Sequence, residues 1–181
     1  MAQAKAQTPA IPLTFFEIGQ NVVANPGVSL SVKNAGFVIA DHTNTHPDAT
    51  TEDDATITQE AMSAYTAISN AAGVKPRYFR PPYGAFSPSS MTDWYNLGFY
   101  VITWSIYSDD FEDPANADAA YNNIAAQLAL DNTSGHIVLC HDIHSACKDA
   151  FPRIVTLFKS NGYTFVDMQT CLGITSLTPY R

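Results

Sequence analysis

The feature that most constrains this chain is an alternation of short β-rich runs with helical stretches along almost its whole length. Leu13-Thr14-Phe15-Phe16-Glu17-Ile18 reads as a strand closed by Gly19, and Pro26 to Ala35 as a short helix ended by Gly36. Phe37-Val38-Ile39-Ala40 is an apolar run leading into Asp41-His42. Thr51-x-x-Asp54 has the form of a capping box and predicts a helix to about Ala72, with the acidic Glu52, Asp53 and Asp54 favoured at its start by the helix dipole. Tyr78-Phe79-Arg80 ends a strand at Pro81-Pro82, which cannot continue ordinary ladder pairing. A helix over Ser87 to Leu97, a strand over Tyr100 to Trp104 and a helix over Asn116 to Leu130 follow. The pattern closes with a strand over His136 to Cys140, a helix over Ala150 to Ser160 and a last strand over Tyr163 to Val166. Such alternation predicts a largely parallel α/β fold. No internal repeat, low-complexity tract or linker interrupts it, so residues 1–181 are expected to form a single domain.

Charge and cysteines narrow the setting. Nine Lys plus Arg against seventeen Asp plus Glu, a formal charge of -8, argue against nucleic acid or an anionic membrane surface as partner. No apolar run reaches the roughly 18 residues of a membrane span. Met1 to Pro12 lacks the charged start and apolar stretch of a secretory signal. Cys140, Cys147 and Cys171 are too few for a disulfide scaffold, and an odd count leaves at least one unpaired within the chain. Buried thiols in a reduced protein are one reading. Asn132-Thr133-Ser134 is an N-glycosylation sequon and leans slightly the other way, towards secretion.

The chemistry-bearing residues collect just after strands, where α/β barrels place their sites. His42 and His46 follow the run at Phe37 to Ala40, and two imidazoles at that spacing can face one metal ion, although surface or core histidines show the same spacing. Arg80-Pro81-Pro82-Tyr83-Gly84 offers an arginine able to orient a carboxylate and a glycine open to ligand approach, or simply a stiff β-to-α connection. Ser108-Asp109-Asp110-Phe111 sets carboxylates beside an aromatic side chain, as a sugar site or a solvated acidic loop would. His141, after Leu139-Cys140, is a candidate general acid because its charge changes near neutral pH.

Taken together these residues resemble the polysaccharide deacetylases of carbohydrate esterase family four, which include chitin deacetylases and peptidoglycan N-acetylglucosamine deacetylases. Thr14-Phe15-Phe16 with Gly19 looks like that family's T-F-F-x-x-G signature, and His42-Thr43-x-x-His46 like its metal motif. Arg80-x-Pro82-Tyr83 is similar to its R-x-P-Y motif, Ser108 to Phe111 stands where it has D-x-x-D-W, and Leu139-x-His141-Asp142 is similar to its last motif. Gly162-Tyr163-x-Phe165-Val166 with Cys171-Leu172 looks like its C-terminal strand. The likeness runs from about Leu13 to Gly173.

The resemblance implies a deformed (β/α) barrel and a divalent metal, Zn²⁺ first with Co²⁺ or another divalent ion as the alternative, held by His42 and His46. It implies hydrolysis of the N-acetyl group of N-acetylglucosamine units in chitin or a related polysaccharide, in a secreted or cell-wall setting. A metal-bound water would attack the acetyl carbonyl, an Asp would take its proton, and the ion and the Tyr83 N–H would stabilise the oxyanion. His141 would protonate the leaving amine. Asp110 would hold Arg80, which would orient the base; Leu139 would line the acetyl-methyl pocket, and Phe111 would contact substrate.

The family's T-F-D-D-G-P motif has no counterpart here. It carries the base and the carboxylate metal ligand on the first strand, so the barrel is expected to lack that strand, leaving sheet edges open to self-association. Tyr107 stands at the fourth motif's first Asp, and Phe111 replaces its Trp. Glu17, Asp41, Asp48 and the Asp53-Asp54 pair are the carboxylates nearest the motifs, and none fits the vacant role well. Two histidines alone should bind metal weakly, and loss of the base costs about 10²–10⁴-fold in rate. A carbohydrate-binding domain without turnover is therefore the rival expectation. In the family a cysteine before T-F-D-D can pair with the one before the final Leu-Gly, so Cys171 is expected to be left without that partner.

Overall fold

The computed structural model describes residues 1–176. In chain order its elements are α1 (Ala2–Lys5), β1 (Thr14–Glu17), α2 (Gly19–Ala24), α3 (Pro26–Asn34), β2 (Val38–Asp41), α4 (Asp54–Ala72) and β3 (Tyr78–Phe79). A short 3₁₀ turn at Pro82–Gly84 leads to α5 (Pro88–Asn96), β4 (Tyr100–Val101), β5 (Ile106–Tyr107) and α6 (Ala117–Leu130). β6 (Val138–Leu139), α7 (Ser145–Ser160) and α8 (Met168–Cys171) complete the order. The chain divides into two compact units, one built on Ala10–Thr103 and the segment from Asp167, the other on Ala2–Pro9 and Trp104–Val166.

The first unit carries a parallel sheet in the order β1-β2-β3-β4. Its register decides where the site forms. Glu17 lies opposite Asp41 and Asp41 opposite Phe79, so His42 and Arg80 leave neighbouring strands at the same level. Helices cover the sheet with two apolar clusters. Val22, Val32, Ile39 and Ile68 form one; Ile57, Ala61, Phe79, Trp94 and Phe99 form the other. Phe79 and Trp94 are fully buried, with ring centroids 4.4 Å apart.

Alanines 61, 64 and 67 line the buried side of α4 and let other backbone come close. Gly19 uses that space: a Cβ there would lie 2.7 Å from Ala64 Cα and 2.7 Å from Asn44 Oδ1. The glycine of the T-F-F-x-x-G pattern is thus a close-approach residue. At the other end of the same helix, the cap differs from the expected box. Asp53, not Thr51, is the N-cap and accepts from the Thr56 N–H, because its carboxylate reaches the first free donors. Gly73, at φ 63°, ends α4 in the left-handed region.

In the second unit β5 and β6 pair in parallel, Ile106 opposite Val138 and Tyr107 opposite Leu139. Ile106, Ile124, Leu128, Ile154 and Phe158 form its core between α6 and α7. Three expectations are corrected here. The strand expected through Trp104 is confined to Tyr100–Val101, with β5 a separate element over Ile106–Tyr107. The helix α7 begins at Ser145, five residues before the expected start at Ala150, and carries Pro152 inside it. Tyr163 to Val166 forms no strand; Tyr163 and Phe165 pack on the helical core, and Asp167 then caps α8.

Cys140 and Cys147 form a disulfide with Cα atoms 6.0 Å apart, and Cys171 is free and exposed. The expected lone state of Cys171 agrees with this pairing. Among the described residues no helix is long and apolar enough to cross a membrane.

Candidate functional site

The first unit gathers four of the expected residues. His42 follows β2 directly and is 5% exposed. Its Nδ1 lies 2.5 Å from the Arg80 carbonyl oxygen, which can only accept, so Nδ1 carries the proton and the lone pair falls on Nε2. Arg80 Nη2 donates towards that lone pair at 3.3 Å. The Arg80 guanidinium also lies over the Phe16 ring, 4.8 Å from its centroid. The His46 ring meets His42 edge-on at 4.8 Å and Tyr83 at the same distance. Tyr83 is 69% exposed and sits at φ 58°. The geometry therefore brings His42, His46, Arg80 and Tyr83 into one contact group.

The loop between the two histidines is held from several sides. Thr43 and His46 both have positive φ, 63° and 65°, which non-glycine residues adopt only when their surroundings enforce it. Asp41 Oδ1 accepts from the Thr43 N–H, and Thr43 Oγ1 accepts from the His46 N–H. Glu60 on α4 accepts from the N–H groups of Asn44 and Thr45 through Oε2 and from the Thr45 hydroxyl through Oε1. Glu60 was not singled out in the sequence, because nothing near it in the chain marks a helix-borne carboxylate as the anchor of a loop formed after a strand.

Of the carboxylates nearest the motifs, Glu17, Asp48, Asp53 and Asp54 have partners of their own. Glu17 accepts from the Ser29 hydroxyl at 2.6 Å, Asp48 from the N–H and hydroxyl of Thr50, and Asp53 caps α4. Ser89 on α5 donates to Asp54. Asp41 is fully buried, and its Oδ2 has no hydrogen-bond partner among the described residues. Burial holds its carboxyl well above the usual carboxylate range; the Thr43 N–H lowers it and the Glu60 charge raises it further.

In the second unit Asp110 is buried and His141 partly open, their side chains 0% and 29% exposed. Asp110, for which the resemblance implies a hold on Arg80, gives its two oxygens to His141: Oδ2 accepts from the backbone N–H at 2.8 Å and Oδ1 from Nδ1 at 2.7 Å. Burial raises the Asp110 carboxyl, but the hydrogen bonds and charge of His141, with the Ser108 hydroxyl, outweigh it and bring it below the ordinary value. The Phe111 ring is half exposed and edge-on to His141 at 6.3 Å. Leu139 is buried on β6, two residues before His141. The Cys140–Cys147 bridge fastens the loop that carries His141 and His144 to the first turn of α7.

The donor set suits a borderline cation in part. Two imidazoles stand together, and the tautomer of His42 presents Nε2 while its other nitrogen is fixed by a carbonyl, the arrangement seen in histidine ligands. No third His, Cys, Asp or Glu joins them in a cluster able to hold a metal among the described residues. The set is thus one ligand short of the three that a catalytic zinc usually takes.

Comparison with known proteins places these features. The family model described as polysaccharide deacetylase matches residues 7–102. A peptidoglycan-N-acetylglucosamine deacetylase of Listeria monocytogenes is 28% identical over 166 residues, covering 90% of this chain and 33% of its own length. A chitin deacetylase of a Pestalotiopsis species is 31% identical over 176 residues, covering 94% of this chain and 58% of its own. The chain thus spans a third to somewhat over half the length of these curated relatives. Among solved structures, a family 4 carbohydrate esterase pseudoenzyme from Bacillus anthracis superposes with a TM-score of 0.82 at 24% identity, over 91% of this chain and 57% of that one. That likeness is one of fold, the α/β arrangement of parallel strands and helices on which these esterases are built.

Proposed function

The chain belongs to the polysaccharide deacetylase family, and from that premise we propose that it hydrolyses the N-acetyl group of N-acetylglucosamine units in chitin or a related polysaccharide, releasing acetate. The observation that carries this reading is the pairing of His141 with a buried Asp110. Asp110 fixes the proton on Nδ1, so Nε2 is the nitrogen that exchanges a proton with substrate. That orientation suits His141 to deliver a proton to the departing amine nitrogen. His42 and His46 are the residues that would hold a divalent ion, zinc or cobalt, whose contribution there is Lewis-acid polarisation of the acetyl carbonyl. Tyr83 would offer its backbone N–H to the developing oxyanion. Leu139 would receive the acetyl methyl group, and the exposed Phe111 ring would lie against a sugar face.

Acetate release from N-acetylglucosamine oligomers, with and without added Zn²⁺ or Co²⁺, tests the proposal. The expected result is turnover that His141→Ala and His42→Ala each remove. Turnover indifferent to both substitutions would refute these roles. A second reading, glycan binding without turnover, is favoured by the lack of a third acidic or imidazole ligand beside His42 and His46 among the described residues. It predicts oligosaccharide binding with no acetate at any ion concentration. A secreted or cell-wall location is part of the proposal, supported by the Cys140–Cys147 disulfide and by the exposed sequon at Asn132.

A further inference from the structure

We infer that Arg80 is a built-in competitor for the divalent cation at His42; the inference rests on the metal-binding part of the function proposed above. A neutral imidazole has one ring nitrogen that can accept. His42 Nδ1 is committed as a donor to the Arg80 carbonyl oxygen, so a cation can reach the ring only through Nε2. That nitrogen has one lone pair, in the plane of the ring, and Arg80 Nη2 already donates towards it at 3.3 Å. A coordinated zinc would sit about 2.0–2.1 Å from the same atom. Hydrogen bond and coordinate bond therefore exclude one another.

Arg80 is well held in the competing position. Its backbone N–H donates to the Asp41 carbonyl and its own carbonyl accepts from His42, so carbonyl and guanidinium clasp the same imidazole from opposite ends. The Phe16 ring lies against the guanidinium. The charge cannot be relieved by deprotonation, because arginine stays protonated throughout the accessible pH range. A divalent ion near His42 thus meets a fixed positive charge as well as an occupied lone pair. Two imidazoles give it little with which to offset both. The ion binds only the fraction of molecules in which the guanidinium has swung off Nε2, and its apparent affinity is weakened by that fraction. Arg80 is accordingly a positioning residue that trades one cation for another.

The test is a Co²⁺ titration of the full chain by competition with a chromophoric chelator, with folding checked by near-UV circular dichroism. Arg80→Gln should tighten Co²⁺ binding on the order of tenfold or more, the factor expected if the guanidinium occupies Nε2 nine-tenths of the time. Arg80→Lys should fall between the two, since it keeps the charge and loses the fork. His42→Ala should abolish the gain. Should Arg80→Gln not fold, Phe16→Leu frees the guanidinium from its ring support and should shift affinity in the same direction by a smaller factor. Equal or weaker binding in folded Arg80→Gln, still dependent on His42, would overturn the inference and leave the metal-binding reading in place. Absence of His42-dependent binding in every protein, wild type included, would overturn both.

Discussion

His42 and His141 show how one hydrogen bond sets the chemistry of an imidazole. In each ring Nδ1 donates to an oxygen, a neutral carbonyl for His42 and a carboxylate for His141, and the His42 Nε2 accepts from Arg80. Each bond fixes which ring nitrogen carries the proton and the direction in which the ring faces. His141→Ala should therefore lower acetate release by about 10²–10⁴-fold, the usual worth of a positioned general acid, with sugar binding retained in a direct binding assay. Asp110→Asn should lower turnover too, since an amide offers His141 no negative charge, and the rate should respond more strongly than KM. These residues were legible in the sequence because each stands within three residues of the C-terminal end of a strand, where α/β folds place their chemistry. Glu60 was not, since its role comes from the packing of α4 beside a loop far from it in the chain.

The elements were legible where hydrophobic period and punctuation agree, as in β1, β2, α3 and α6. They were misread where tertiary contacts decide. Tyr163 to Val166 has strand composition, yet its aromatic side chains pack on helices and its backbone joins no ladder. Helix α7 accepts an internal proline, and its amphipathic face still buries Ile154, Val155 and Phe158. Two substitutions test the element packing. Gly19→Ala inserts a methyl group 2.7 Å from the Ala64 backbone and should destabilise by about 1–3 kcal/mol in urea unfolding, as overpacking does. Cys140→Ser with Cys147→Ser should cost about 2–3 kcal/mol through the short closed loop. It should also slacken the His141 loop, read as faster amide exchange from Asp142 to Ser145.

Across the whole molecule, the carboxylates set the acid limit of stability. Asp110 is held below the ordinary range by His141, outweighing burial, and Asp53 and Asp167 by the helix N–H groups they cap. A carboxyl whose folded value is lowered contributes stability that is full above its unfolded value, about 3.9 for Asp, and is lost as pH falls through the folded value. Asp41 works in the opposite sense: burial raises it, so its contribution is full at low pH and is lost as pH rises through its folded value. Denaturation midpoints should drop steeply below about pH 4. Asp110→Asn should flatten that limb, whereas an unchanged limb would contradict the assigned hydrogen bonds. Net charge, -8 over 181 residues, argues against nucleic acid or an anionic membrane surface as partner. The most direct test of the central claim measures bound ion and released acetate in one sample as Co²⁺ is added to the chain with N-acetylglucosamine oligomers. Acetate rising in proportion to His42-dependent ion occupancy is the predicted result. Full occupancy with bound oligosaccharide and no acetate would contradict hydrolysis and leave a glycan-binding domain.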